Sequence, residues 1–288
     1  VIVPANPQGQ VAVPDHKRWG ADRIPVLKLG KYLAIAKINL HQAIVYRSNV
    51  LGGLLFYALF IFVFFSLWRA IYHGGEVQGY SLRQVVWYLC ITELLVFGCR
   101  TPVFTQMNED IKTGALAYQL IRPCHYVAYQ FAGAVGRMVF NLVCFGILAV
   151  VLGMMMVGPL PDYALTTLPL GILSAVLGLV INFFLLMCLG LTAFRLEENG
   201  AFYLVYQKLV FMLGMFIPLE FLPGWLQRIA RWLPFPYVAW APARLLVAFS
   251  WPLFWQILPL QVFWAAIAIE LSLLLYRQGM RGLQANGG

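Results

Sequence analysis

Four ionisable side chains sit inside otherwise apolar stretches and are the groups best placed to do chemistry: Glu93, Arg100, Arg137 and Glu270. A charge in hydrocarbon is costly, so each is expected to face protein or water, as an interhelical pair or as the lining of a path. Glu93 and Arg100 are seven residues apart, which on a helix puts both on one face. Arg100 and Arg137 are expected at similar depth. Nothing extends this set into a catalytic constellation. A membrane-embedded acyl or glycosyl transferase would need His, Asp or Glu converging at one membrane face. Here the acids are dispersed and no HxxxD-like pair occurs. The histidines, His16, His41, His73 and His125, are far apart and offer no metal-ligand pair. Cys90, Cys99, Cys124, Cys144 and Cys188 lack CxxC spacing and read as small apolar residues. The phosphate-cradling GxxxxGK loop is also absent. Its nearest fragment, Gly30-Lys31, has no glycine five positions earlier and is followed by Tyr32. No cofactor is expected on this chain.

The elements that hold these residues are set by the bilayer. Only 11% of residues are charged and 61% are hydrophobic, whereas a soluble domain carries about 25% charged residues. The charges are also clustered. No Asp, Glu, Lys or Arg lies between Arg47 and Arg69, Arg137 and Asp162, Asp162 and Arg195, or Arg244 and Glu270. Each gap of ~20 residues or more suffices to cross a ~30 Å hydrocarbon core at ~1.5 Å per residue. The expected architecture is an all-α membrane protein with six spans: Asn49–Trp68, Gln84–Phe104, Ala132–Val157, Ala164–Phe194, Gly200–Ile217 and Leu253–Tyr276. Residues 1–25, interrupted by Pro4, Pro7, Pro14 and Pro25, read as a flexible tail and not as a secretory signal. Residues 26–48 read as an amphipathic interfacial helix, with Leu29, Leu33, Ala36, Leu40 and Ile44 on its apolar side. The transmembrane domain then occupies 49–288.

Orientation follows from the basic residues. With both termini in the cytoplasm, thirteen of them fall inside: Lys17, Arg18, Arg23, Lys28, Lys31, Lys37, Arg47, Lys112, Arg122, Arg195, Lys208, Arg277 and Arg281. Five fall outside: Arg69, Arg83, Arg228, Arg231 and Arg244. That is the bias expected of cytoplasmic loops. The net charge of +9 therefore reads as topology and anionic-lipid contact. Nucleic-acid binding is not implied, because no long basic run interleaves with aromatics.

Two segments carry more than loops need. Asn108, Glu109, Asp110, Ile111, Lys112, Thr113 and Gly114 read as a short helix on the cytoplasmic side, with Asn108 as N-cap, acids in the first turn and Gly114 as stop. The segment 218–252 contains Pro218, Pro223, Pro234, Pro236, Pro242 and Pro252, which forbid one long helix. It is rich in aromatics, including Trp225, Trp232 and Trp240, which favour the headgroup level. Short helices that dip into the outer leaflet and return are expected, their turns covered by protein or water.

At these two segments the chain resembles the permease subunits of type-2 ABC transporters, in the branch with paired permeases and relatives in drug export. The carrying residues are Gly114 with Leu120-Ile121-Arg122-Pro123, Phe216-Ile217-Pro218-Leu219, Phe221-Leu222-Pro223-Gly224-Trp225-Leu226, Leu233-Pro234-Phe235 and Pro242. The pattern departs at Glu220, where an apolar or aromatic residue is expected. The resemblance implies an ATP-driven exporter of the bacterial cytoplasmic (inner) membrane. It implies a coupling helix at Asn108–Thr113 seated on a separate ATPase, re-entrant outer helices around Pro218, Glu220, Pro223, Trp225 and Pro234, and a second permease, identical or a sister chain. A membrane-embedded transferase, or a non-transporting anchor or assembly factor, remains the alternative.

Overall fold

The computed structural model describes residues 29–72, 75–120, 124–160, 165–196 and 198–286. The expected tail 1–25, residues 26–28 of the interfacial helix and the Ile121-Arg122-Pro123 motif lie outside them. Among the described residues the chain is helical apart from turns and one bridge between Val77 and Tyr80.

Helix α1 (Leu29–Val45) precedes α2 (Ser48–Ile71). α1 packs along α6 (Tyr126–Val157) through small residues. A Cβ on Gly136 would stand 2.1 Å from the Ala36 carbonyl oxygen, so only glycine lets the two backbones approach this closely. The seam is formed by Tyr32, Ala36 and Asn39, while Leu29, Leu33 and Ile44 of the expected apolar stripe are exposed. An amide thus turns toward protein because Arg137 answers it, and the aliphatic side is left for lipid.

α2 holds to α3 (Leu82–Gly98) by the Tyr57 hydroxyl, which donates to the Cys90 carbonyl at 2.7 Å. α3 begins with a capping box. The Ser81 N–H donates to Gln84 Oε1 at 2.9 Å and the Gln84 N–H to Ser81 Oγ at 3.3 Å. The second expected span does not run unbroken to Phe104. α3 stops at Gly98, and α4 (Val103–Lys112) starts after Pro102, which lacks the N–H that would continue the ladder and disfavours helix at Thr101. A five-residue helix α5 (Leu116–Leu120) leads toward α6.

α6 has 32 residues, about 48 Å at ~1.5 Å per residue, and ends at Gly158 with φ 79°. α7 (Leu168–Leu191) and α11 (Trp251–Asn286) pack along each other, and α10 (Pro236–Val247) lies against α7. α8 (Gly200–Val210) continues as a π-turn through Met215, and α9 (Gly224–Ala230) is short. Among the described residues, five helical stretches are long and apolar enough to cross a membrane: Ser48–Ile71, Leu82–Lys112 (α3 and α4 together), Tyr126–Val157, Leu168–Phe194 and Trp251–Arg281. The fifth expected span, Gly200–Ile217, is instead a shorter apolar helix, Gly200–Met215.

The bundle has two ends. At one, Tyr276 of α11 stacks on Tyr126 and Asn199 donates to the Leu189 carbonyl at 3.1 Å. At the other, Trp87 donates to the Gly158 carbonyl at 3.0 Å, and Trp68 of α2 meets Phe221 edge-on. Gly200–Met215 and the residue after it pack against α4 and α2. Tyr203 stacks on Phe104 at 4.4 Å, and Phe216, just past the π-turn, meets Phe64 of α2 at 5.3 Å.

Candidate functional site

α4 is amphipathic. Val103, Phe104 and Met107 are buried and Ile111 is half-buried, while Thr105, Gln106, Glu109 and Lys112 are exposed. Its buried face is seated without slack: a Cβ on Gly190 of α7 would stand 2.8 Å from Met107 Cβ. Asp110 Oδ2 accepts from the Tyr126 hydroxyl at 2.8 Å, and Gln130 Nε2 donates to the same hydroxyl at 2.8 Å. Gly114, with φ 73°, ends the element, because an L-residue resists that backbone. Two features differ from the sequence reading. Asn108 is the sixth residue of α4 and caps nothing; the apolar spacing of Val103, Phe104, Met107 and Ile111 carries the helix one turn and more upstream of it. The helix is accordingly longer and fastened to α6, α7 and α8.

Between α2, α3, α7 and α8 lies a cavity of about 590 Å³. Phe56, Phe60, Phe97 and Phe211 give it an aromatic wall, and Glu93, Arg100 and Lys208 give it charge. Tyr206 on the same wall donates to Asn182 Oδ1 at 2.7 Å, so Asn182 makes the interhelical bond its type suggests. Glu93 is fully buried, and neither carboxylate oxygen has a hydrogen-bond partner among the described residues. Arg100 is not on the α3 face that carries Glu93, since the helix stops before it; both nonetheless reach this cavity.

A second cavity of about 410 Å³ lies at the corner of α1, α2, α3 and α6. Arg100 and Arg137 both border it. Arg137 Nη1 donates to Asn39 Oδ1 at 2.7 Å, and Asn39 Nδ2 to the Ile35 carbonyl at 2.9 Å. Glu270 joins neither cavity. It is exposed on α11, nineteen residues past Trp251, about 29 Å along the helix. That distance brings the carboxylate to the edge of a hydrocarbon core, where facing protein is unnecessary.

The segment 218–252 folds into a 3-10 turn at Leu219–Phe221, then α9 and α10. α10 is almost wholly buried, from Pro236 through Ala243, whereas the turn at Pro223-Gly224 is exposed. Trp225, Ile229 and Trp232 are exposed, whereas Pro218 and Pro234 are buried and Pro223 is exposed as the N-cap of α9. Glu220, the departure from the family pattern, has a physical role. Arg244 Nε donates to its Oε1 at 3.1 Å and Trp240 Nε1 to its Oε2 at 3.2 Å, and the guanidinium lies over the Tyr80 ring at 5.2 Å. The Arg244 Nη1 also donates to the Ala248 carbonyl. Gln227 ties the turn by donating to the carbonyls of Glu220 and Leu222.

Sequence reasoning passed over one buried network. Ser174 Oγ donates to Gln261 Oε1 at 2.8 Å, and Gln261 Nε2 donates to the carbonyls of Ser174 and Tyr237, both at 3.0 Å. It joins α7, α10 and α11. A neutral amide inside an apolar run was the available signal.

No curated protein matches the sequence. The family model for ABC-2 family transporter protein matches residues 54–287, most of the chain and both segments that carried the resemblance. With apolar spans, a short amphipathic helix at one end and a charged aromatic cavity between the helices, the chain belongs to the ABC-2 family of transporter proteins, as a transmembrane permease subunit of an ABC transporter.

Proposed function

We propose that this permease is one half of the membrane domain of an ATP-driven exporter. A second permease, identical or a sister chain, completes the path, and a separate ATPase carrying ATP and Mg drives it. In this reading the chain crosses a bacterial inner membrane six times with both termini in the cytoplasm. Gly200–Met215 is the fifth crossing, though short, and α9 with α10 forms the outer re-entrant segment. No nucleic acid takes part.

The observation that carries the reading is the construction of α4. Its polar side, including Glu109 and Lys112, is free to meet another protein. Its apolar side is locked to α7 and α8 through Met107 and Phe104. A push on α4 therefore moves the helices that wall the larger cavity. Asn108, Asp110, Ile111, Thr113 and Gly114 shape and terminate the same lever. The aromatic wall with Glu93, Arg100 and Lys208 suits an amphipathic, lipid-like cargo.

The test is co-purification from native membranes followed by ATPase assay. An ATPase should accompany the chain, and Lys112→Cys should be cross-linked to it by a thiol-to-amine bifunctional reagent. Efflux that persists after deletion of that ATPase would refute the mechanism.

A further inference from the structure

The smaller cavity has the composition of an anion site. Arg100 and Arg137 both border it, with amides from Gln42, Asn49 and Asn141. Neither arginine has a carboxylate partner: among the described residues the only ion pair is Arg244 with Glu220, in the 218–252 segment. Arg137 spends one nitrogen on Asn39, yet its Nε is buried and unsatisfied. A buried donor on a cation left without an acceptor is costly, and a bound anion would remove that cost. Asn39, locked by the Ile35 carbonyl, fixes the orientation of the guanidinium.

The site also has a direction. Gly53, Phe97 and Arg100 border both cavities, so the polar corner continues into the aromatic one. Counted over both walls, the charged groups are Arg100, Arg137 and Lys208 against Glu93, and Glu93 borders only the larger space. A free anion needs the corner alone. An anion carrying a hydrocarbon chain fills the corner and the phenylalanine-lined space beyond it.

We propose that the corner between α1, α2, α3 and α6 binds the phosphate headgroup of an anionic phospholipid, held by Arg100 and Arg137, with its acyl chain entering the cavity walled by Phe56, Phe60 and Phe97. The assignment concerns binding and stands whether or not the chain exports anything.

The test uses the full chain in phosphatidylcholine mixed micelles and a fluorescent phosphatidylglycerol, read by polarisation. Wild type should bind it saturably, with unlabelled phosphatidylglycerol competing. Arg100→Gln should weaken binding about tenfold or more, the worth of one charge-assisted hydrogen bond. Arg100 is exposed, so this variant keeps the fold; Arg137→Gln should act similarly but also loosens α1. Arg228→Gln, at an exposed site in the 218–252 segment, should leave binding unchanged. Equal binding by Arg100→Gln and wild type would overturn the site. Phosphatidylcholine competing as well as phosphatidylglycerol would overturn headgroup recognition. Inorganic phosphate competing at the same concentration would overturn the lipid assignment in favour of a free anion.

Discussion

Both oxygens of Glu93 are sealed from solvent and accept no hydrogen bond among the described residues, though the side chain borders the larger cavity. An acid kept where it stabilises nothing is better explained by what enters the cavity than by the fold. Glu93→Gln, which removes charge and breaks no bond, should leave thermal stability in detergent unchanged or raised while changing efflux. A clear loss of stability would show instead that Glu93 supports the bundle. Glu220 is the opposite case, with its carboxylate holding Arg244 and Trp240. Glu220→Ala leaves a half-buried guanidinium without its anion and should cost on the order of 1–3 kcal/mol, seen as a lower melting point; an unchanged melting point would argue that the pair is idle. These charges were legible in the sequence because hydrocarbon makes an ionised group conspicuous. Gln261 and Ser174 were not, because a neutral amide costs too little to interrupt an apolar run, yet two of their bonds tie α11 to α7 and a third ties α11 to α10. At ~0.6 kcal/mol per interhelical bond, Gln261→Leu should lose roughly 2 kcal/mol in the same assay.

The two faces of α4 separate binding from transmission. Glu109 and Lys112 are exposed and can be altered without disturbing packing. Met107 is fully buried and pressed against Gly190. The charge swap Glu109→Lys with Lys112→Glu should weaken association with the ATPase in a pull-down and leave thermal stability intact. Met107→Ala should do the reverse: it opens a void worth about 2–5 kcal/mol and slackens the lever, so ATP is still hydrolysed while efflux falls. If both changes reduced ATPase binding equally, α4 would be acting as a simple adhesive patch. The existence of this helix, and its end at Gly114, could be read from turn chemistry. Its start could not, since Asn108 is a good N-cap residue type and the four-residue rhythm from Val103 is too short to stand out beside the apolar span before it. The break at Pro102 settles that competition only once α3 is seen to stop at Gly98. α10 was hidden for a related reason: prolines announce that a long helix is impossible, but burial of the short one depends on Gly178, where a Cβ would sit 2.5 Å from the Val238 carbonyl oxygen.

At the scale of the molecule, the helices divide into a packed set and an outlying pair. α3, α6, α7, α10 and α11 share long interfaces, whereas α2 buries only Tyr57, Ile61 and Trp68 and exposes Leu51, Leu55, Leu59 and Phe62. α8 likewise exposes Phe202, Leu204 and Val205, with Met212 exposed on the π-turn. Lipid can cover such faces, but α2 and α8 are also two of the helices that border the larger cavity, so a second permease set against them would close it into a path between subunits. α6 exposes Met155 just as fully without bordering that cavity, which makes it the matched control. With Cys124 and Cys144 replaced by serine to remove the accessible native thiols, Leu55→Cys and Met212→Cys should each give an inter-subunit adduct with a short bifunctional thiol reagent in native membranes. The adduct should appear at twice the chain's mass for identical permeases, or at the summed mass for a sister chain, and ATP should change its yield as the subunits move. Met155→Cys should stay monomeric. Adducts from Met155 with none from Leu55 or Met212 would place the partner on the other side of the bundle, and the cavity would then open to lipid and not to a shared path.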